Sequence, residues 1–148
     1  SEQVVQELFM DADRAKRYKD KMNRAKKRAD QICEWALGDS EDFIEDEKTK
    51  LATYKAFQEM TEACLDIIAM ICKDSNIVPK DDYTNIQSLE WLDKSAANAL
   101  AEANGLRNRI VHRYNHTDDL IALESMRALL PEFGRFLDEV GLWIRKRL

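Results

Sequence analysis

"TYKAFQEMTEACLDIIAMICK", Thr53 to Lys73, decides the fold. Tyr54, Phe57, Thr61, Cys64, Ile68 and Ile71 recur at alternating steps of three and four residues. That period keeps all six on one face of an α-helix, whereas a strand would scatter them over both of its faces. The run holds no glycine or proline. It therefore reads as a long helix with one buried seam, reaching about Lys73. Core packing explains the seam without a cofactor.

Working outward, only four glycines and two prolines punctuate the 148 residues, which favours long helices over strands joined by frequent turns. Val4 to Leu37 reads as a first helix stopped by Gly38. Its stripe Tyr18, Met22, Ala25, Ala29, Ile32 and Trp35 faces a core. Its middle is basic, from Arg14 through Arg28, and reads as a solvated face because acidic residues flank it; an RNA-facing arm is the other reading. Asp39 and Ser40 supply helix-start chemistry for a short helix over Glu41 to Glu45. Asp74 to Tyr83, with Pro79, is a loop. Thr84-x-x-Gln87 resembles a capping box for the next helix. Helical stretches are expected through Trp91 and Leu92 and from about Ser95 to Tyr114. Asn115 to Asp119 is turn-like, and Asp118 and Asp119 suit the start of a further helix. Pro131 is expected to kink that helix or open a new one. Leu129, Phe133, Phe136, Val140 and Trp143 again step by four and three. The expected architecture is all-α: an antiparallel up-and-down bundle of four to five main helices, forming a single domain over residues 1–148.

Bulk properties set limits on function. A formal net charge of −5 argues against a broad nucleic-acid groove but permits a small phosphate site. Cys33, Cys64 and Cys72 are odd in number and lack a pairing motif, which fits reduced thiols and a cytoplasmic protein. Cys64 and Cys72 sit on apolar stretches and read as buried small hydrophobes. No apolar run is long enough for a membrane helix, and the first residues lack the marks of a signal peptide. No metal site is expected, because no ligand spacing accompanies the cysteines or histidines.

One stretch is chemically loaded. "GLRNRIVHRYNH", Gly105 to His116, holds three arginines and both histidines of the chain. At about 100° per residue, Arg107, Val111 and Tyr114 share one side of a helix, with Asn108 and His112 beside them. Arg109, Arg113 and His116 project oppositely, where they are solvated or steer substrate. Guanidinium, carboxamide, imidazole and phenol together suit metal-free cleavage of an RNA phosphodiester. The ribose 2′-hydroxyl is its own nucleophile. The protein must supply a proton acceptor and donor, and positive charge for the phosphorane-like transition state. Spacing alone leaves a plainer reading open, in which His112 is hydrogen-bonded near a helix end and Arg107 pairs with an acid.

Leu106-Arg107-Asn108-x-x-Val111-His112-x-Tyr114 resembles the R-N-x-x-x-H-x-Y signature of the HEPN superfamily. The likeness is nearest to HepT-type toxins, which pair with minimal nucleotidyltransferase antitoxins. "SEDFIEDEKTKLATYKAFQEMTEA" (40–63), "IVPKDDYTNIQSLEWLDKSAANALAEANGLRN" (77–108) and "LLPEFGRFL" (129–137) resemble that family's flanking segments. The resemblance implies a helical bundle that dimerises about a two-fold axis, where two motifs form a composite, metal-independent endoribonuclease site needing no cofactor. It assigns Arg107 and His112 to catalysis, and Asn108 and Tyr114 to support and substrate binding; Arg109 and Arg113 add substrate-binding charge near the site. It further implies a toxin of a type VII-like pair, silenced when its antitoxin adenylylates Tyr114. The alternative within the superfamily is a non-catalytic module that binds a partner nucleotidyltransferase or a nucleotide. Glu59 and Glu62 are both candidates to pair with Arg107.

Overall fold

A computed structural model of the protein describes residues 9–112 and 116–148, apart from the side chains of His112, His116 and Thr117. Among these residues the chain is all-α. Four long helices, α1 (Ala12–Trp35), α3 (Glu47–Asp74), α5 (Lys94–His112) and α6 (His116–Arg145), are joined by two short ones, α2 (Ser40–Glu45) and α4 (Asp82–Ser88). The expected up-and-down bundle is the one found.

Aspartates set the helix starts. Asp11 accepts from Arg14 N, Asp39 from Glu41 N and Asp42 N, Asp46 from Thr49 N, and Asp81 from Thr84 N. Each satisfies backbone N–H groups that a first turn leaves without partners. Asp93 does the same for α5 through Ser95 N and Ala96 N. Hydrogen bonds from Thr49 and Thr84 hold the Asp46 and Asp81 carboxyls below the usual carboxylate range. At the other end of α3, Asn76 takes φ +60° and Ile77 N donates back to Cys72 O at 2.8 Å, a Schellman-type stop.

Four expectations need correction. The first helix begins at Ala12, because Asp11 caps it; Val4 to Leu8 lie outside the described residues. Thr84 is not a cap. It sits inside α4 and donates its hydroxyl to the true cap, Asp81, at 2.7 Å. Trp91 and Leu92 are not helical. Leu89 and Leu92 are both buried three residues apart, which imitates helical spacing, yet the chain must turn there to bring Asp93 to the start of α5. Finally, α6 begins at His116 and continues past Pro131 as one helix, so Pro131 does not open a new one. Pro131 is exposed, while Leu129, Phe133, Phe136 and Val140 keep one continuous buried stripe. That packing outweighs the roughly 3 kcal/mol that an interior proline opposes.

The buried seam of α3 is as expected: Tyr54, Phe57, Thr61, Cys64, Ile68 and Ile71 are all buried. Helix α1 runs antiparallel along α3, tied by Arg14–Asp74 at 2.9 Å, Lys21–Asp66 at 3.3 Å and Arg28–Glu59 at 2.5 Å. Helix α5 packs on α3 and α6, and α6 closes back on α1. Arg127 of α6 donates to Ala36 O and Gly38 O, capping the end of α1. Among the described residues no helix is long and apolar enough to cross a membrane.

A buried ion pair pins α6 to α3. Asp119 is 4% exposed; its Oδ2 lies 3.1 Å from Lys50 Nζ and its Oδ1 accepts from the Tyr54 hydroxyl. Removing one partner strands a charge in the interior. Asp119→Ala should lower unfolding free energy by about 3–5 kcal/mol in urea titration, and Asp119→Leu with Lys50→Met should recover most of it. Cys64 and Cys72 are buried and desolvation raises both thiols, whereas Cys33 is exposed. A thiolate-specific reagent should therefore label Cys33 at once, and the other two only as fast as the protein unfolds.

Candidate functional site

Helix α5 carries the loaded stretch and is fixed by a narrow apolar stripe. Ala96, Ala99, Leu100, Ala103, Leu106 and Ile110 are buried. The small alanines let α5 approach its neighbours closely, so Asn104 and Arg107 beside the stripe emerge at an inter-helix seam rather than in open solvent.

Arg107 emerges on the side toward α3 and the start of α4. Its side chain is 18% exposed. Nη2 donates to Asn104 Oδ1 at 2.6 Å, and Asn104 is itself buried. Glu62 Oε1 of α3 stands 3.9 Å from Nη1, and Asp82 Oδ2 of α4 stands 3.8 Å from Nη2. Among the described residues, the arginine is thus a half-buried cation held by one neutral amide and faced by two carboxylates. Of the two glutamates considered from sequence, Glu62 faces it. Glu59 instead bonds Arg28, which holds its carboxyl below the usual range. The plainer expectation, Arg107 beside an acid, describes this resting arrangement.

Arg109 emerges on a different side of α5. It is exposed and lines a small pocket with Tyr54, Leu106, Ile110, Asp118 and Ile121, toward α3 and α6. Asn108 and Val111 are exposed. The helix therefore separates Arg107 from Arg109, as the turn angle requires. The His112 side chain, Arg113 and Tyr114 lie outside the described residues, so their meeting with Arg107 is not part of this geometry. Two residues at the site escaped sequence reasoning. Asn104 is three positions before Arg107, a same-face spacing that could have revealed it. Asp82 could not have been found this way, because only the placement of α4 brings it there.

A groove of about 460 Å³ runs between α1 and α3 and reaches Glu62. Arg17, Lys21 and Arg24 of the basic first helix line it with Lys55, facing Asp20, Glu59 and Asp66. Lys21 is committed to Asp66. The basic helix is thus neither a free arm nor wholly solvated: its apolar stripe enters the core and part of its charge pairs with α3. Among the described residues no group of three or more His, Cys, Asp or Glu is placed to hold a metal ion.

An RNase candidate of Archaeoglobus fulgidus is 40% identical over 85 residues, which is 53% of this chain. The chain spans 64% of that relative's length, a little under two thirds. A tRNA nuclease HepT of Aphanizomenon flos-aquae is 24% identical over 110 residues, covering 70% of this chain and 74% of that protein. A tri-AMPylated HEPN toxin of Shewanella oneidensis, solved in complex with an MNT antitoxin, matches with a TM-score of 0.77 at 22% identity, over 90% of this chain and 99% of that one. At that identity the match speaks to the fold, which is therefore HEPN-like. The family model for ribonuclease HepT-like proteins matches residues 13–140, so the chain belongs to the ribonuclease HepT-like family.

Proposed function

We propose that the protein is the toxin of a toxin–antitoxin pair and cleaves RNA without a metal ion. The observation that carries this reading is Arg107: a half-buried arginine, held by a buried amide, on the motif helix of a HepT-like chain. A guanidinium so placed can grip two phosphate oxygens and meet the charge that builds on them during displacement.

The chemistry follows from the substrate. The ribose 2′-oxygen bonds to phosphorus while the bond to the 5′-oxygen breaks, giving a 2′,3′-cyclic phosphate and a 5′-hydroxyl. One proton leaves the 2′-oxygen and one reaches the 5′-oxygen. His112, five positions after Arg107, is assigned that acid–base work, since imidazole titrates near neutral pH. Asn108, Arg109 and Arg113 support and bind the strand, and Arg17, Arg24 and Lys55 in the adjoining groove supply further positive charge along its path. A homodimer brings two motifs together; exposed Val111 and Ile121 beside the motif offer apolar surface for the second copy to cover. The single domain works in the cytoplasm. A nucleotidyltransferase antitoxin switches it off by moving AMP from ATP to the Tyr114 oxygen, releasing pyrophosphate and placing bulk and negative charge where RNA must bind.

The purified wild-type protein should cut RNA in EDTA and leave 2′,3′-cyclic phosphate ends. Arg107→Ala and His112→Ala should each reduce the rate by about a hundredfold or more with unchanged circular dichroism. Cleavage surviving both substitutions would assign the activity to a contaminant. Co-expression with the antitoxin should raise the intact mass by whole AMP units mapping to Tyr114; a wild-type chain that lacks AMP and cuts no RNA would overturn the reading.

A further inference from the structure

Asn104 and the two carboxylates treat Arg107 differently. The Asn104 bond is short, at 2.6 Å, and Asn104 itself is only 3% exposed. Glu62 and Asp82 stand at 3.9 and 3.8 Å, beyond hydrogen-bond contact, on side chains 46% and 41% exposed. The Glu62 oxygen nearest Arg107, Oε1, already accepts from Gln58 Nε2 at 3.1 Å. One contact is thus short and made to a buried residue. The other two are long, solvated and screened, so they hold weakly.

We propose that Asn104 is the positioning residue of the site, and that Glu62 and Asp82 are placeholders which the RNA phosphate displaces. This rests on the ribonuclease reading above. A half-buried guanidinium without a counter-charge is unfavourable, so the free protein needs anions near it. Full hydrogen bonding to those anions would compete with substrate. Carboxylates just beyond contact neutralise the charge and leave donors open for a bidentate phosphate. The entering phosphate brings the same sign of charge and shorter bonds. Asn104, being neutral, fixes the guanidinium without competing as a charge. Glu62 also lines the groove between α1 and α3, so a strand lying in it passes the placeholder that must yield.

The test is a double-mutant cycle on the full chain. The probe is a short fluorescein-labelled oligonucleotide with every ribose 2′-O-methylated, which presents phosphates yet cannot be cut. Its affinity is read by anisotropy at fixed salt. Glu62→Gln with Asp82→Asn should tighten binding about tenfold, and the gain should vanish in an Arg107→Ala background. Asn104→Ala should weaken binding in the wild type and not in Arg107→Ala. A carboxylate effect that persists without Arg107 would mean simple repulsion of the strand and would overturn the proposal, as would an Asn104 effect independent of Arg107. Should Asn104→Ala fail to fold, NMR of the wild-type arginine side chains decides: restricted rotation about the Arg107 Nε–Cζ bond, with and without probe, is expected, and free averaging sinks the positioning role. Cleavage of ordinary RNA is measured in parallel. Coupling without cleavage would refute the ribonuclease reading alone, and cleavage without coupling would refute this proposal alone.

Discussion

The constraint on which the structure rests is that α3 must be covered along its whole length. Thirteen of its residues are buried, and they occupy more than the one seam visible from sequence. A helix that apolar cannot sit at the surface of a two-layer arrangement. It needs α1 on one flank, α5 on the next, and the short α2 and α4 at its ends. The bundle is what results when each neighbour offers one apolar stripe to that central helix. The stripes of α1 and α5 are narrow, so their polar residues fall at seams beside α3. The seam between α5 and α3 is where Arg107 meets Glu62.

The same constraint explains the acidity. Five aspartates cap helix starts, and Asp74, Asp66 and Glu59 answer the cations of α1. Much of the negative charge is therefore structural and local. Net charge then says less about nucleic-acid binding than its sign suggests, because a phosphate meets the charges at one seam and not the total. The basic face of α1 is partly consumed for the same reason. Arg17 and Arg24, with no ion pair to α3 among the described residues, line the groove that includes Glu62.

The sequence made the long elements readable and hid the junctions. Periodicity located the stripes of α1, α3 and α6, because burial of one helical face demands a 3.6-residue repeat whatever the neighbours are. Local signals misled at Thr84 and Trp91, where tertiary placement decides. Thr84 and Asp81 carry equally good capping chemistry, and only the position of α4 selects between them. Leu89 and Leu92 are buried from a turn, and Trp91 stacks on Trp143, a residue far along the chain. At the site, Arg107 was marked by its company in the motif. Asn104 looked like an ordinary polar residue in an alanine-rich helix, because burial, which gives it meaning, is not written in its identity. Asp82 looked like loop.

The motif is entered from α5 and followed closely by α6. Its first half, through Ile110, is locked into α5 by Leu106 and Ile110 and oriented by Asn104. Two positions beyond its last residue, Tyr114, α6 starts at His116 and is fixed within one turn by Asp119, Lys50 and Tyr54. Arg107 and Asp119 are both referred to α3, one through Glu62 and the other through Lys50 and Tyr54. Helix α3 is therefore the common frame for the stretch that enters the motif and the one that leaves it. A packing defect in the middle of α3 would shift both together, whereas loss of Asp119 would release only the exit. The chemistry assigned to Arg107 and His112 needs their separation held to well under an ångström. Much of that burden falls on a central helix whose direct contribution to the motif is a single glutamate.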